Sequence, residues 1–237
     1  MRFENKTVVV ATSGGSIGTE CARKLQEEGA RVVLLTSDKA DEKAAGSACK
    51  VVPVNCFYDE AEMEGKVKEG LGDVAADVVV TCLDAEPPKF AWNEIPEDDA
   101  HKYFDAVMTG VQTVLKYTLP AMVERRSGSV VIIESIVGRT GVKGENIMSA
   151  AAHAGLSGLI RNVATVFGKH NITVNGVAVG PIKGQKCEET VAENVKPVLN
   201  IEGTGEDVAN AVMYLADPAV FWNAGEIVDL NGGYFAV

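Results

Sequence analysis

Short runs of β-branched residues alternate with stretches of helical periodicity from one end of the chain to the other. Thr7-Val-Val-Val-Ala11 reads as a first strand and 17–28 as the helix after it, closed at Gly29-Ala30 as glycine commonly closes helices. Residues 31–35 and 50–54 give the second and third strands, and 77–82 the fourth. One long helix is expected over 98–124, with Phe104, Val107, Val111, Val114, Leu115 and Thr118 along a single stripe. A strand at 129–134 and a second long helix at 149–167, rich in Ala and Gly, come next. A strand at 172–178, a helix at 205–215 and a strand at 226–230 complete the pattern. Such alternation predicts a single α/β domain over 1–237, a Rossmann-type doubly wound parallel sheet of about seven strands with helices on both faces. Residues 183–200 are the least regular and are expected to form a mobile loop or lid.

Composition narrows the partners. Hydrophobic residues make up 46% of the 237, ample for one core, and 22 Lys plus Arg face 33 Asp plus Glu, a net charge of -11. An acidic surface repels nucleic acid and anionic membranes, although one small anionic ligand can still find a local pocket. Cys21, Cys49, Cys56, Cys82 and Cys187 are scattered and odd in number, as expected for small buried residues in a reducing cytoplasm. The three histidines lie far apart, so spacing gives no metal site. The amino terminus reads as the start of a strand and not as a signal peptide, and no apolar run approaches the ~18 residues of a membrane span.

Chemistry is expected beyond the carboxyl ends of the parallel strands, where a helix N-terminus favours phosphate. The first such turn is Ala11-Thr12-Ser13-Gly14-Gly15-Ser16-Ile17-Gly18. In this setting the chain resembles the short-chain dehydrogenase/reductase family, whose fingerprint is Thr-Gly, three variable residues, then Gly-Ile-Gly. The resemblance runs the length of the chain. Asp77-Val-Val-Val falls at the strand before the family's Asn-Asn-Ala-Gly, and Asp105-Ala-Val-Met-Thr-Gly110 at its Asp-Val-Asn-x-Thr-Gly. Ile132-Ile-Glu-Ser135 is similar to its serine-bearing strand, and Val174-Asn-Gly-Val-Ala-Val-Gly-Pro-Ile182 to its Val-Asn-x-Val-x-Pro-Gly-x-Ile. Glu226-Ile-Val-Asp-Leu-Asn-Gly-Gly-Tyr234 is similar to its closing strand and tail.

The departures fall where the family works. Thr12 and Ser16 stand in place of the first two fingerprint glycines, and their side chains are expected to crowd a pyrophosphate; Gly18 stays in place. Gly14, Gly15 and Ile17 complete a vestigial turn. Thr36 takes the position of the ribose-binding acid, with Asp38 nearby, and Asn55 replaces the aspartate near adenine. Leu83 and Asp84 replace small cofactor-facing residues, and Gly184 the threonine that grips the carboxamide. The resemblance implies a catalytic serine, tyrosine, lysine and asparagine. Ser135 matches the serine, Val107 takes the asparagine position, Ser149 (or Met148 in another register) the tyrosine's and His153 the lysine's. No tyrosine is expected near, and a serine hydroxyl is a far weaker acid than tyrosine's, with its pKa of ~10, so it is a poor proton carrier at neutral pH.

Three readings follow. The first is a non-catalytic subunit that binds no cofactor and assembles with an active homologous chain carrying NAD, one that oxidises a hydroxyacyl-CoA. The resemblance implies contacts through the two long helices, with Gly110, Val111 and Val114 on one and Ala151, Ala154, Gly155 and Leu159 on the other, and a second contact through the closing strand. Two copies of each chain, a heterotetramer, are expected. The second is a cofactor-independent enzyme using Ser135, Ser149 and His153, the last two sharing a helix face four residues apart. The third is an active NAD(P)-dependent oxidoreductase with atypical residues.

Overall fold

The computed structural model describes residues 1–44, 49–142, 146–185 and 196–235. The strands are β1 (Thr7–Thr12), β2 (Arg31–Thr36), β3 (Lys50–Pro53), β4 (Val78–Cys82), β5 (Gly128–Ser135), β6 (Ile172–Val179) and β7 (Ile227–Leu230). They form one sheet in the order β3-β2-β1-β4-β5-β6-β7, with every pair parallel. The order reverses between β1 and β4, which opens a crevice beyond their carboxyl ends. The helices are α1 (Ser16–Glu27), α2 (Lys39–Ala44), α3 (Glu60–Leu71), α4 (Glu97–Phe104), α5 (Gly110–Arg125), α6 (Ile147–Phe167) and α7 (Gly205–Ala216). None of them is long and apolar enough to cross a membrane.

Both faces of the sheet are buried, which is why its strands read as near-continuous apolar runs. Successive residues feed opposite cores. Val9, Ala11, Val33, Leu35 and Val79 join α3, α5 and α6. Val8, Val10, Val32, Leu34 and Val80 join α1 and α7. Gly29 ends α1 with φ +94, a left-handed conformation that glycine adopts without strain.

Three expectations change. The long helix is interrupted by one wide π-turn, Asp105–Thr109, between α4 and α5. The wide turn shifts the phase, so that Tyr103 rather than Phe104 joins Val107, Val111 and Val114 in the core. The hydrophobic pattern names nothing between β3 and β4, yet α3 stands there, its Met63, Val67 and Leu71 repeating every fourth residue among charged neighbours. Finally, Gly110, Val111 and Val114 are buried within the chain and cannot form an outer contact, because the sheet claims that stripe of α5. On the outward face of α6, Ala151 and Ala154 are exposed and Gly155 and Leu159 half-buried. Residues 186–195 of the expected mobile loop, Cys187 among them, lie outside the described residues.

Candidate active site

Between β1 and α1 the chain makes its phosphate-type turn with Gly14 at φ +113 and Gly15 at φ +100. Thr12 does not crowd the crevice as expected. Its side chain is fully buried and lies against Gly18, where an added Cβ would come within 2.5 Å of it. Its Oγ1 accepts the Gly14 amide at 3.0 Å, while the Ser13 amide donates to the Cys82 carbonyl at 3.2 Å. The crowding comes from the other side. The Ser16 amide, first of α1, donates to the Gly184 carbonyl at 3.2 Å, and Ser16 Oγ donates to the Lys183 carbonyl at 2.8 Å. Gln185 Nε2 reaches the Gly14 carbonyl at 3.4 Å, and Gln185 Oε1 stands 2.6 Å from where a Cβ on Gly15 would lie. Ile17 is buried beneath the turn.

At the end of β2, Thr36 is buried and donates its hydroxyl to Asp41 at 2.7 Å. Asp38 caps the start of α2 by accepting the Ala40 amide at 2.9 Å. Asn55 gives its amide and its Nδ2 to the Glu62 carboxylate at 2.7 and 3.0 Å. Each of these candidate nucleoside positions is hydrogen-bonded within its own neighbourhood.

The catalytic positions do converge, on the carboxyl ends of β4 and β5. His153 is 3% exposed, and its Nδ1 accepts the backbone amide of Ser135 at 3.1 Å. An N–H cannot face an N–H, so Nδ1 is the unprotonated nitrogen and Nε2 carries the hydrogen. Nε2 points toward Asp84 Oδ1 at 3.7 Å, beyond hydrogen-bond reach, and has no partner at bonding distance among the described residues. The same Asp84 oxygen accepts the Ala85 amide at 2.8 Å and the Tyr103 hydroxyl at 3.3 Å. A tyrosine therefore does approach the site, contrary to expectation; it comes from α4, some 50 residues away in sequence from α6, because the fold packs the two helices together. Ser135 Oγ accepts the Val137 amide at 3.4 Å, and Ser149 is buried on α6 one turn before His153. Val107 is fully buried on the wide turn.

Glu134, a residue of the β5 motif to which the sequence assigns no role, is only 1% exposed. Burial pushes its carboxyl up to about 7, against the opposing pull of a Ser157 hydroxyl 2.9 Å from both carboxyl oxygens and of the nearby His153, Arg139 and Arg161. An acid directly after the apolar run Val130-Val-Ile-Ile133 on a buried strand is a sequence signal for such a group.

Among the described residues, Leu83, Asp84, Glu134, Ser135, His153 and Gln185 line a cavity of about 30 Å³. That holds roughly two waters and no nicotinamide ring. A dinucleotide does not fit the crevice in this arrangement: one end is packed with side chains and the pyrophosphate turn is covered by the chain's own backbone. No cluster of three His, Cys, Asp or Glu side chains placed for a metal occurs among the described residues.

The sequence model of the family described as enoyl-(acyl carrier protein) reductase matches residues 11–235. The chain is 25% identical over 245 residues to a 3-oxoacyl-[acyl-carrier-protein] reductase of Rickettsia typhi, covering 99% of each. It is 29% identical over 262 residues to a (3R)-3-hydroxyacyl-CoA dehydrogenase of Canis lupus familiaris, covering 99% of this chain and 98% of the relative. A solved structure described as a short chain dehydrogenase/reductase family protein superposes with a TM-score of 0.89 at 26% identity, over 100% of both chains.

Proposed function

This chain belongs to the short-chain dehydrogenase/reductase family, and from that premise we propose that it is a non-catalytic subunit which assembles with an active, NAD-carrying member of the same family. The observation that carries the reading is the bond from the Ser135 amide to His153 Nδ1. A neutral imidazole has one lone pair for accepting a proton, and here that lone pair is already engaged. With it engaged, Ser149 has no base to activate it, and Val107 offers no proton relay. The same bond weighs against a cofactor-independent site built from Ser135, Ser149 and His153. Tyr103 supplies no substitute base, being buried with its hydroxyl directed at Asp84.

The outer face supports the assembly half of the proposal. Between α5 and α6 lies an apolar groove of about 510 Å³, lined by Leu115, Leu119, Pro120, Val123, Leu159 and Phe167. An open apolar groove on a helix pair fits the equivalent helices of a homologous chain, and continued packing there would bury it from water. Near the closing strand, Phe221 is 68% and Trp222 90% exposed, which suits a second contact. NAD then belongs to the partner. Similarity to a (3R)-3-hydroxyacyl-CoA dehydrogenase favours a hydroxyacyl-CoA as the partner's substrate. The finer resemblance is to the inactive subunit of the 2-[hydroxy(phenyl)methyl]succinyl-CoA dehydrogenase of anaerobic toluene degradation, which accompanies an active chain in a heterotetramer.

The test is turnover by the purified chain alone, with NAD and NADP, over a panel of hydroxyacyl and oxoacyl thioesters. No turnover is expected. Activity that disappears in Ser149→Ala would overturn the proposal.

A further inference from the structure

Lys183, Gly184 and Gln185 follow β6 and cross the N-terminus of α1, and their contacts form a set. The Gly184 and Lys183 carbonyls accept the Ser16 amide at 3.2 Å and the Ser16 hydroxyl at 2.8 Å. The Gln185 amide side chain lies over Gly14 and Gly15, donating to the Gly14 carbonyl at 3.4 Å. A helix N-terminus carries partial positive charge and attracts anions, and carbonyl oxygens are the negative ends of their dipoles. The segment thus meets the electrostatic demand that a pyrophosphate would meet. The turn's own amides are also engaged: Ser13 with the Cys82 carbonyl at 3.2 Å and Gly14 with Thr12 Oγ1 at 3.0 Å.

The segment is anchored on its far side. Ile182 pairs with Gly203, the Lys183 amide donates to the Gly203 carbonyl at 2.9 Å, and the Gln185 amide closes the turn onto the Ile182 carbonyl at 3.3 Å. Two glycines make the close approach possible. Gly184 has φ +79, a conformation that strains any residue with a Cβ, and a Cβ there would sit 3.4 Å from that of Ser16. Gly15 leaves the space that Gln185 Oε1 enters, 2.6 Å from a hypothetical Cβ.

We propose that Lys183–Gln185 is a built-in plug: its Lys183 and Gly184 carbonyls occupy the Ser16 hydroxyl and amide that a dinucleotide's pyrophosphate would accept from, Gln185 ties it to the Gly14 carbonyl, and it is what closes the nucleotide half of the crevice. The plug deepens the non-catalytic reading and gives the lack of cofactor binding a removable cause. It also assigns Gly184 and Ser16 a joint role, one bending the plug and the other holding it.

ADP-ribose is the probe that separates the plug from the packed nicotinamide end, because it carries the adenosine and pyrophosphate without the nicotinamide. Titration calorimetry on the full chain should give no saturable binding up to about 1 mM. The double variant Ser16→Gly with Gln185→Gly, which removes the plug's holds, should bind at least about tenfold more tightly than that limit. Gly184→Thr, which strains the plug from a different residue, should move binding the same way and guards against a single variant that fails to fold. If both variants keep the parent's helical content and neither gains binding, the plug is not what closes the site. Binding by the unaltered chain as tight as by the variants would overturn the proposal equally. Neither result bears on the non-catalytic reading, which turnover by the unaltered chain would overturn.

Discussion

The crevice above β1 and β4 and the outer face of α5 and α6 share the same helices, yet they treat space in opposite ways. At the inner end of the crevice, Leu83 and His153 are buried, and the described residues there line a cavity of about 30 Å³. On the outer face, apolar side chains edged by Gln112, Lys116 and Glu124 leave a groove of about 510 Å³. Side chains fill the described inner end of the crevice, while the groove between α5 and α6 stays open. A residue that departs from the family's catalytic pattern can still carry the packing of its region. Val107, His153 and Leu83 are core residues here, and a core residue's cost of removal can be measured.

Leu83→Ala should break the comparison hardest on the crevice side. A well-packed, buried leucine beside Gly110 costs roughly 3 kcal/mol to truncate if the crevice is core, and far less if it is a pocket awaiting a ligand. Chemical denaturation of both chains decides between these.

Glu134→Gln tests the same core through pH. The buried acid holds its proton up to about 7 while the unfolded chain releases it near 4.5, so its stabilising contribution is present below 4.5 and is lost as pH rises through 7. At ~1.4 kcal/mol per pH unit, the variant should gain roughly 3 kcal/mol on the parent between pH 4 and pH 8. Melting curves across that range should show the parent losing stability and the variant flatter. A parallel pair of curves would mean that Glu134 titrates as an ordinary surface acid.

Gly158→Trp sharpens the other side. Gly158 is exposed on α6 and has nothing within 4 Å of an added Cβ, whereas a Cβ on Gly155 would meet Met108 of the same chain at 3.1 Å. Replacing a helix-interior glycine in open space should leave the isolated chain as stable or slightly more so. Assembly through this face should weaken at least about a hundredfold, ~2.7 kcal/mol, measured by sedimentation with the partner.

Ser16→Ala is the smallest expected effect. Losing the hydroxyl's bond to the Lys183 carbonyl should cost about 1 kcal/mol of stability.

The sheet was legible because burial on both faces writes each strand as an apolar run, and the turn after β1 located the crevice. The helix α3 was not, because its three apolar positions are diluted by charge. The site was legible as a set of positions but not as contacts. Ser135 and His153 could be paired by resemblance, but the bond between a backbone amide and Nδ1 has no sequence signature. Tyr103 and Gln185 come from elements distant in sequence, α4 and the end of β6, and only tertiary packing delivers them. Thr12 shows the converse: substitution for glycine suggested crowding, and the side chain turned inward onto Gly18 instead.

The central claim is that the chain has kept its outer face for an active homologue, and purification from its native host followed by native mass spectrometry tests it most directly. The account predicts a hetero-oligomer, two copies of this chain with two of a related dehydrogenase that carries the intact serine, tyrosine and lysine and holds NAD. Recovery of this chain only as a monomer or homo-oligomer, with no related dehydrogenase attached, would contradict it.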